Sequence, residues 1–432
     1  MCYTGCVTTT NNSTGFSGLG IAPSLLSALD RLKFIEPTPV QSRSIPVGIE
    51  GQDLIAIAQT GTGKTLAFGI PIIQRLAQVK GKALVLLPTR ELAIQVDESL
   101  HSIGRSLGLR TAVLIGGASM LLQRKSILRK PHVVIATPGR LLDHMEQHTV
   151  NLADVTILVL DEADRMLDMG FAPQIKKILA AVPRKRQTML FSATMPKEIV
   201  EIAHRHMATP LHVEIARSGT AVEKVTQEVF FVTQESKARL LETVLSKHLG
   251  SALVFVRTKH GARKITRYVQ EMGHTAAEIH SNRTLGQRRE ALEGFKSGKY
   301  RVLVATDIAA RGIDVTGIEV VVNFDLPSTA EDYIHRIGRT ARAGRTGQAI
   351  SFATFDQQGD IRSIERLIRK TLPVRELPQL PPVRYSGPRE SAPQGSQYRA
   401  RQPYRSQSRG SRPWQRTQFR GRNKQRRSGR NY

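Results

Sequence analysis

The chain has 432 residues, 40% of them hydrophobic, which is enough for more than one large core. Its two cysteines, Cys2 and Cys6, are too few for a disulfide framework or a structural zinc site, and its formal net charge of +27 favours a polyanionic partner, usually nucleic acid. No apolar run approaches the ~18–20 residues needed to span a bilayer, and the first ten residues lack the basic and apolar regions of a secretory signal, so we expect a cytoplasmic protein without a membrane partner.

Residues 1–15 are small and polar without periodicity, and are expected to form a disordered arm. From Phe16 to about residue 215, short apolar runs alternate with amphipathic stretches. Strands are predicted at Leu54–Ala58, Ala83–Leu87, Thr111–Ile115, Val133–Ala136, Thr156–Leu160 and Thr188–Phe191. Helix-length segments such as Thr65–Val79 and Arg90–Leu107 lie between them. The rhythm predicts an α/β domain with a mostly parallel sheet covered on both faces. A connector at 216–224 contains Ser218-Gly219-Thr220. The alternation then resumes, with strands expected at Glu228–Val232, Ala252–Val256, Thr275–Ile279, Val302–Ala305, Val320–Phe324 and Gln348–Ala353. Arg362–Arg369 reads as a closing helix, so a second α/β domain is expected over 225–375. Pro373, Pro378, Pro381 and Pro382 end it. Residues 376–432 are rich in Arg, Gln, Ser and Gly and are expected to be disordered.

Chemistry concentrates where strands end. The apolar run Thr156–Leu160 stops in three carboxylates, Asp161, Glu162 and Asp164. Open α/β sheets bind ligands past the C-terminal ends of their strands. Two adjacent acids there can divide labour, one holding magnesium through water and one taking a proton from an attacking water. A solvated turn capping the next helix would show the same residues. Upstream, Leu54–Ala58 leads into Gln59-Thr60-Gly61-Thr62-Gly63-Lys64-Thr65 and then a helical pattern. Such a turn aims backbone N–H groups and a helix N-terminus at an anion. Lys64 would reach the β- and γ-phosphates and the Thr65 hydroxyl would ligate Mg²⁺. The stricter phosphate-loop pattern has Gly at position 58, where this chain has Ala58. Given this loop, Asp161 and Glu162 become the magnesium and water partners. Farther on, Arg336, Arg339 and Arg342 recur every three residues and share one face if helical. Planar, permanently charged guanidiniums suit the transition-state charge of phosphoryl transfer.

In this order the motifs resemble those of a DEAD-box ATP-dependent RNA helicase, a family built from two tandem RecA-like domains. The resemblance covers residues 16 to about 375. Asp161–Phe171 and the short basic tail are most similar to the bacterial RhlE-like branch. The resemblance implies an RNA-dependent ATPase that uses ATP with Mg²⁺, held by Thr65 and Asp161, and separates or remodels RNA locally. It implies that Phe34 and Gln41, in Phe34-Ile-Glu-Pro-Thr-Pro-Val-Gln41, stack on adenine and hydrogen-bond its edge. Gln59, Thr60, Gly61, Thr62, Gly63, Lys64 and Thr65 would hold the phosphates, with Gly312 and Asp314 approaching from the second domain. RNA-backbone contacts are implied for Pro88, Thr89 and Arg90, for Gly116 and Gly117, and for Thr137, Pro138, Gly139 and Arg140. In the second domain they are implied for Arg257, Thr306 and Arg336. None of these reads bases, so binding is expected to be largely sequence-independent. Ser192, Thr194, Asp164 and His335 would couple nucleotide state to strand separation. Glu162 would be the general base beside Asp161 and Lys64, with Arg339 and Arg342 as arginine fingers. The chain departs from the family pattern at Ala341 and Ser281, where Gly is usual, and at Glu290, where Arg is usual.

Residues 384–432 hold 14 Lys/Arg against one acid, Glu390, which is +13 of the +27. Arg399, Arg401, Arg405, Arg409, Arg412, Arg416, Arg420 and Arg422 alternate with Tyr398, Tyr404, Trp414 and Phe419. Arginines that neutralise phosphate and aromatics that stack on unpaired bases predict an RNA-binding tail. The expected partners are duplex and single-stranded RNA, with ribosomal or RNA-decay proteins, and the core is expected to be monomeric. Two other readings remain from the residues alone, an ATP-independent RNA chaperone and a DNA helicase.

Overall fold

The apolar runs of each half form a sheet of seven described strands, and every pairing in both sheets is parallel. The structure, a computed structural model, describes residues 15–58, 61–215, 225–310, 317–340 and 347–382. The arm before residue 15 with Cys2 and Cys6, the connector 216–224 and the tail beyond 382 lie outside the described residues. The described residues belong to one compact unit. No helix among them is long and apolar enough to cross a membrane.

In the first lobe the strands are Leu54–Ile57 (β1), Lys82–Leu86 (β2), Thr111–Leu114 (β3), Val133–Ala136 (β4), Val155–Leu160 (β5), Gln187–Ser192 (β6) and Leu211–Glu214 (β7). They lie in the order β3-β4-β2-β5-β6-β1-β7. The inner strands are buried along their length because both faces of the sheet are covered, which is why they read as unbroken apolar runs. Successive side chains point to opposite faces. Leu54, Ala56, Val85, Ile135 and Val159 enter one core with helices Lys64–Gln78 and Arg90–Gly104. Ile55, Leu84, Leu86, Val134 and Leu158 enter the other with Pro138–Glu146, Ala172–Ala181 and Lys197–His206.

The second lobe repeats the arrangement. Its strands are Val225–Phe231 (β8), Ala252–Phe255 (β9), Ala276–Ile279 (β10), Val302–Ala305 (β11), Val320–Asn323 (β12), Gly347–Ala353 (β13) and Val374–Arg375 (β14). The order β10-β11-β9-β12-β13-β8-β14 is the first sheet's order position for position. The lobe continues past the expected end at 375. Leu380 packs against its core, and Arg239 donates from Nε to the Pro381 carbonyl at 2.5 Å. Every strand with a motif delivers it at the C-terminal end, so both sheets present their chemistry along one edge.

Candidate active site

The phosphate loop begins where β1 ends and closes into the helix Lys64–Gln78. Gly63 has φ +88°, and a Cβ there would run into the Gln41 amide, so this position requires glycine. Gln41 is buried in the first turn of the helix Pro39–Glu50. Its amide oxygen accepts from Thr38 N at 2.9 Å and its amide nitrogen donates to the Gly63 carbonyl at 3.0 Å. Gln41 therefore fastens the loop to the preceding segment. Phe34 is 40% exposed, as a surface that stacks on a ring must be. Gln59 and Thr60 lie outside the described residues, whereas Gly61 to Thr65 are described.

Lys64 is buried and donates from Nζ to the Ala58 carbonyl at 3.1 Å. The same Nζ lies 3.9 Å from Asp161 Oδ1, a charge contact longer than a hydrogen bond. Burial pushes the Asp161 carboxyl up to about 6, against the pull of Lys64, with Glu162 and Asp164 adding to the rise. Glu162 follows with φ 52° and ψ 49°, a left-handed backbone that non-glycine residues seldom adopt. Its Oε2 accepts from Arg165 Nη1 at 2.8 Å. Its Oε1 is buried with no hydrogen-bond partner among the described residues.

Asp164 turns the other way. Its Oδ2 accepts from Ala193 N at 3.1 Å, Thr194 N at 2.9 Å and Thr194 Oγ1 at 3.0 Å, while its N–H donates to Ser192 Oγ. Burial would raise its carboxyl, but the charges of Lys64 and Arg165 and the Thr194 bond hold it below the usual range. The end of β5 is thus tied to the end of β6. His335, in the helix Ala330–Ile337 of the second lobe, reaches the same place, with Nδ1 3.1 Å from Arg165 Nη2. Arg339 lines a small cavity with Arg165 and His335.

The expected arginine row is not a helix face. The helix ends at Ile337 with Gly338 as its cap, so Arg339 lies beyond it. Arg336 is inside the lobe at 2% exposure, gripping both Asp307 oxygens, Asn323 and the Asp325 carbonyl, with its guanidinium over the Phe255 ring. It holds β11 and β12 to this helix and presents no surface to RNA in this arrangement. Arg342, Ala341, Gly312 and Asp314 lie outside the described residues.

The motifs expected at RNA gather on the first lobe. Thr89 and Thr137 are buried and precede the helices Arg90–Gly104 and Pro138–Glu146; Pro88 is buried beside Thr89. Thr89 Oγ1 accepts from Leu92 N at 3.3 Å. The Arg90 guanidinium lies against Gly116 and Gly117, and a Cβ on Gly117 (φ +78°) would collide with it. Arg140 donates to the Ala118 carbonyl at 3.0 Å and to Asp143. Gly139 opens onto free space. Buried His144 bridges Gln123 and Thr149, and burial, Arg140 and Arg124 push its imidazole down toward the neutral form. In the second lobe Arg257 is exposed past β9, and Thr306 is half-buried past β11.

Sequence reasoning missed three residues. Arg165 is one. The others are Glu91 and Arg288, whose 2.9 Å ion pair joins the helices Arg90–Gly104 and Leu285–Lys296 across the lobes, with each side chain 9% exposed. Arg288 lies two residues before position 290, where an arginine is usual in the family. Glu290 itself accepts from Lys299 Nζ at 2.9 Å and the Tyr300 hydroxyl at 2.6 Å, within its own lobe.

A family model described as DEAD/DEAH box helicase matches residues 38–202, and one described as Helicase conserved C-terminal domain matches residues 236–344. The chain is 43% identical over 369 residues to ATP-dependent rRNA helicase RRP3 of Candida albicans, covering 84% of this chain and 69% of that protein. It is 43% identical over 371 residues to DEAD-box ATP-dependent RNA helicase CshA of Bacillus licheniformis, covering 84% of this chain and 76% of that one. Among solved structures it is similar to S. cerevisiae Dbp5 bound to RNA and ADP BeF3, at 30% identity and a TM-score of 0.76, covering 84% of this chain and 96% of that one.

Proposed function

The chain belongs to the DEAD-box family of ATP-dependent RNA helicases, which are RNA-dependent ATPases, and we propose that it hydrolyses ATP at the end of β5 with Glu162 as general base. One observation carries this reading. Glu162 sits between the Asp161–Lys64 pair on the phosphate-loop side and the Arg165–His335 contact from the other lobe. The catalytic groups are divided between lobes, so hydrolysis requires the lobes to meet.

The oxygen donors of Asp161 and Thr65 suit Mg²⁺, a hard cation, and a buried carboxyl pushed to about 6 is one that a nearby cation stabilises as carboxylate. When bound, the ion neutralises phosphate charge and fixes the phosphates in place. Lys64 supplies a fixed positive charge at the phosphates. Glu162 takes a proton from the attacking water. Arg339 and Arg342 meet the charge that develops on the transferred group. Catalysis on this reading is mostly positioning and charge stabilisation.

RNA lies across the first lobe at Arg90, Gly116, Gly117 and the N-terminus of Pro138–Glu146, with Arg257 and Thr306 on the second. Helix N-termini, glycine N–H groups and arginines engage backbone phosphate and read no base. Strand separation is local, driven by lobe closure on one strand. The Arg-rich tail adds sequence-independent RNA affinity, and the core acts as a monomer in the cytoplasm. Within the family we read the chain as RhlE-like, on Asp161–Phe171 and the basic tail. Its equal identity to RRP3 and CshA supports the family as a whole and no single branch. RRP3 is named for rRNA, so ribosomal RNA is the substrate class to test first, by crosslinking and sequencing of bound RNA.

Glu162→Gln tests the core of the proposal. RNA-stimulated ATP turnover should fall by about 10²–10⁴-fold while ATP binding persists. Turnover at the wild-type rate would remove Glu162 from the mechanism.

A further inference from the structure

Arg165 is among the largest fully buried side chains, at 1% exposure. A guanidinium shut away from water must be matched by partners. Nη1 donates to Glu162 Oε2 at 2.8 Å, within its own turn. Nη2 donates to His335 Nδ1 at 3.1 Å, 170 residues away in the second lobe. A guanidinium has no acceptor, so His335 receives this bond through an unprotonated Nδ1. The fork is planar and rigid, so the arm on Glu162 does not turn independently of the arm on His335. Glu162 meanwhile stands on a left-handed backbone, and Arg165 is the partner that fixes its carboxylate.

The geometry points to Arg165 as a positioning residue that reports the arrival of the second lobe, through His335, to the carboxylate of Glu162. With His335 in place, the fork holds Glu162 in one orientation. Without it, one arm is unanchored and Glu162 shares the freedom of the guanidinium. RNA thereby stimulates hydrolysis at the base itself as well as through the arginines it brings to the phosphates. This inference rests on the reading of Glu162 as the base.

The test uses the full chain with Arg165→Lys, His335→Ala and both together. Lysine keeps a charge for Glu162 but cannot span both partners. Arg165→Gln, a neutral donor, is the second variant should the lysine form melt early. We expect KM for ATP to stay within about twofold and RNA-stimulated kcat to fall about tenfold or more, an interaction lost at the chemical step and not in binding. We expect the double variant to be no slower than the slower single, because both changes break one linkage. Wild-type kcat in both Arg165 variants, or losses that multiply in the double variant, would overturn the inference. Glu162→Gln in the same assay separates the two failures. If it turns over normally, the base assignment falls. If it is inactive while the Arg165 variants are normal, only the positioning role falls.

Discussion

Burial holds the Asp161 carboxyl near 6 in the folded chain, against 3.8 as its ordinary value. A carboxyl raised on folding binds its proton more tightly when folded than when unfolded. Stability of the nucleotide-free protein therefore declines as pH rises from about 4 to 6, and the cost is fully present above 6. Asp161→Asn removes that cost. At pH 7 it should raise the stability of the nucleotide-free protein by on the order of 1–2 kcal/mol, about half of the roughly 3 kcal/mol the shift alone implies, because Lys64 loses its partner. It should abolish turnover. Thermal melts at pH 7 and pH 5 check the sign, since the gain must shrink at the lower pH; an equal gain at both would assign it to some other cause. Such a site trades stability for chemistry. The acids themselves were legible in the sequence because they interrupt an apolar run. Arg165 was not. A lone arginine after an acidic cluster reads as surface charge, and only the fold reveals that the turn is buried and that a histidine from the other lobe faces it. Arg336, expected by resemblance at the RNA backbone, is drawn inside the lobe by Asp307 and Asn323, a burial that nothing in the sequence signals.

At the scale of elements, the inner strands were legible because burial on both faces leaves an apolar run with little else in it. Two of the four edge strands, β7 and β14, were not. β7 buries only Val213, and both residues of β14 are exposed, so neither leaves a hydrophobic signature. β14 nevertheless opens a strap that continues over the lobe to Leu380 and Pro381, beyond residue 375, where the second domain was expected to end. Truncation after Pro382 should leave the melting temperature of the second lobe unchanged. Truncation after Leu372 strips the β8 edge, the Leu380 contact and the two carbonyls held by Arg239. That loss is about 2 kcal/mol or more, roughly a 5 °C drop in melting temperature for a lobe of this size. Equal melting of the two truncations would show that the strap is passive.

Across the whole molecule, the two lobes repeat one strand order without a visible sequence repeat, so the way they meet was the part least legible from the chain. No periodicity reveals that Glu91 and Arg288 become neighbours. Each is an ordinary charged residue near the start of a helix, and Arg288 stands beside the Arg289 and Glu290 that drew attention away from it. With the lobes in contact, the pair is almost shut off from water, whereas apart each charge is free to be solvated. Removing one partner therefore costs little in either lobe alone and much in the joined state, where the other charge stays buried; truncations of this kind typically cost about 2–5 kcal/mol. Even the lower figure, converted at about 1.4 kcal/mol per tenfold, lowers the joined population by roughly 30-fold. Arg288→Ala should thus raise the RNA concentration needed for half-maximal ATPase stimulation by at least about tenfold. ATP binding to the first lobe and the melting of the isolated lobes 16–215 and 225–382 should be untouched. Exchanging the charges, Glu91→Arg with Arg288→Glu, should recover part of the loss. If Arg288→Ala leaves RNA stimulation at wild-type concentrations, the joining of the lobes is held elsewhere, and the shared surface at Leu285 on the first lobe's core becomes its main support.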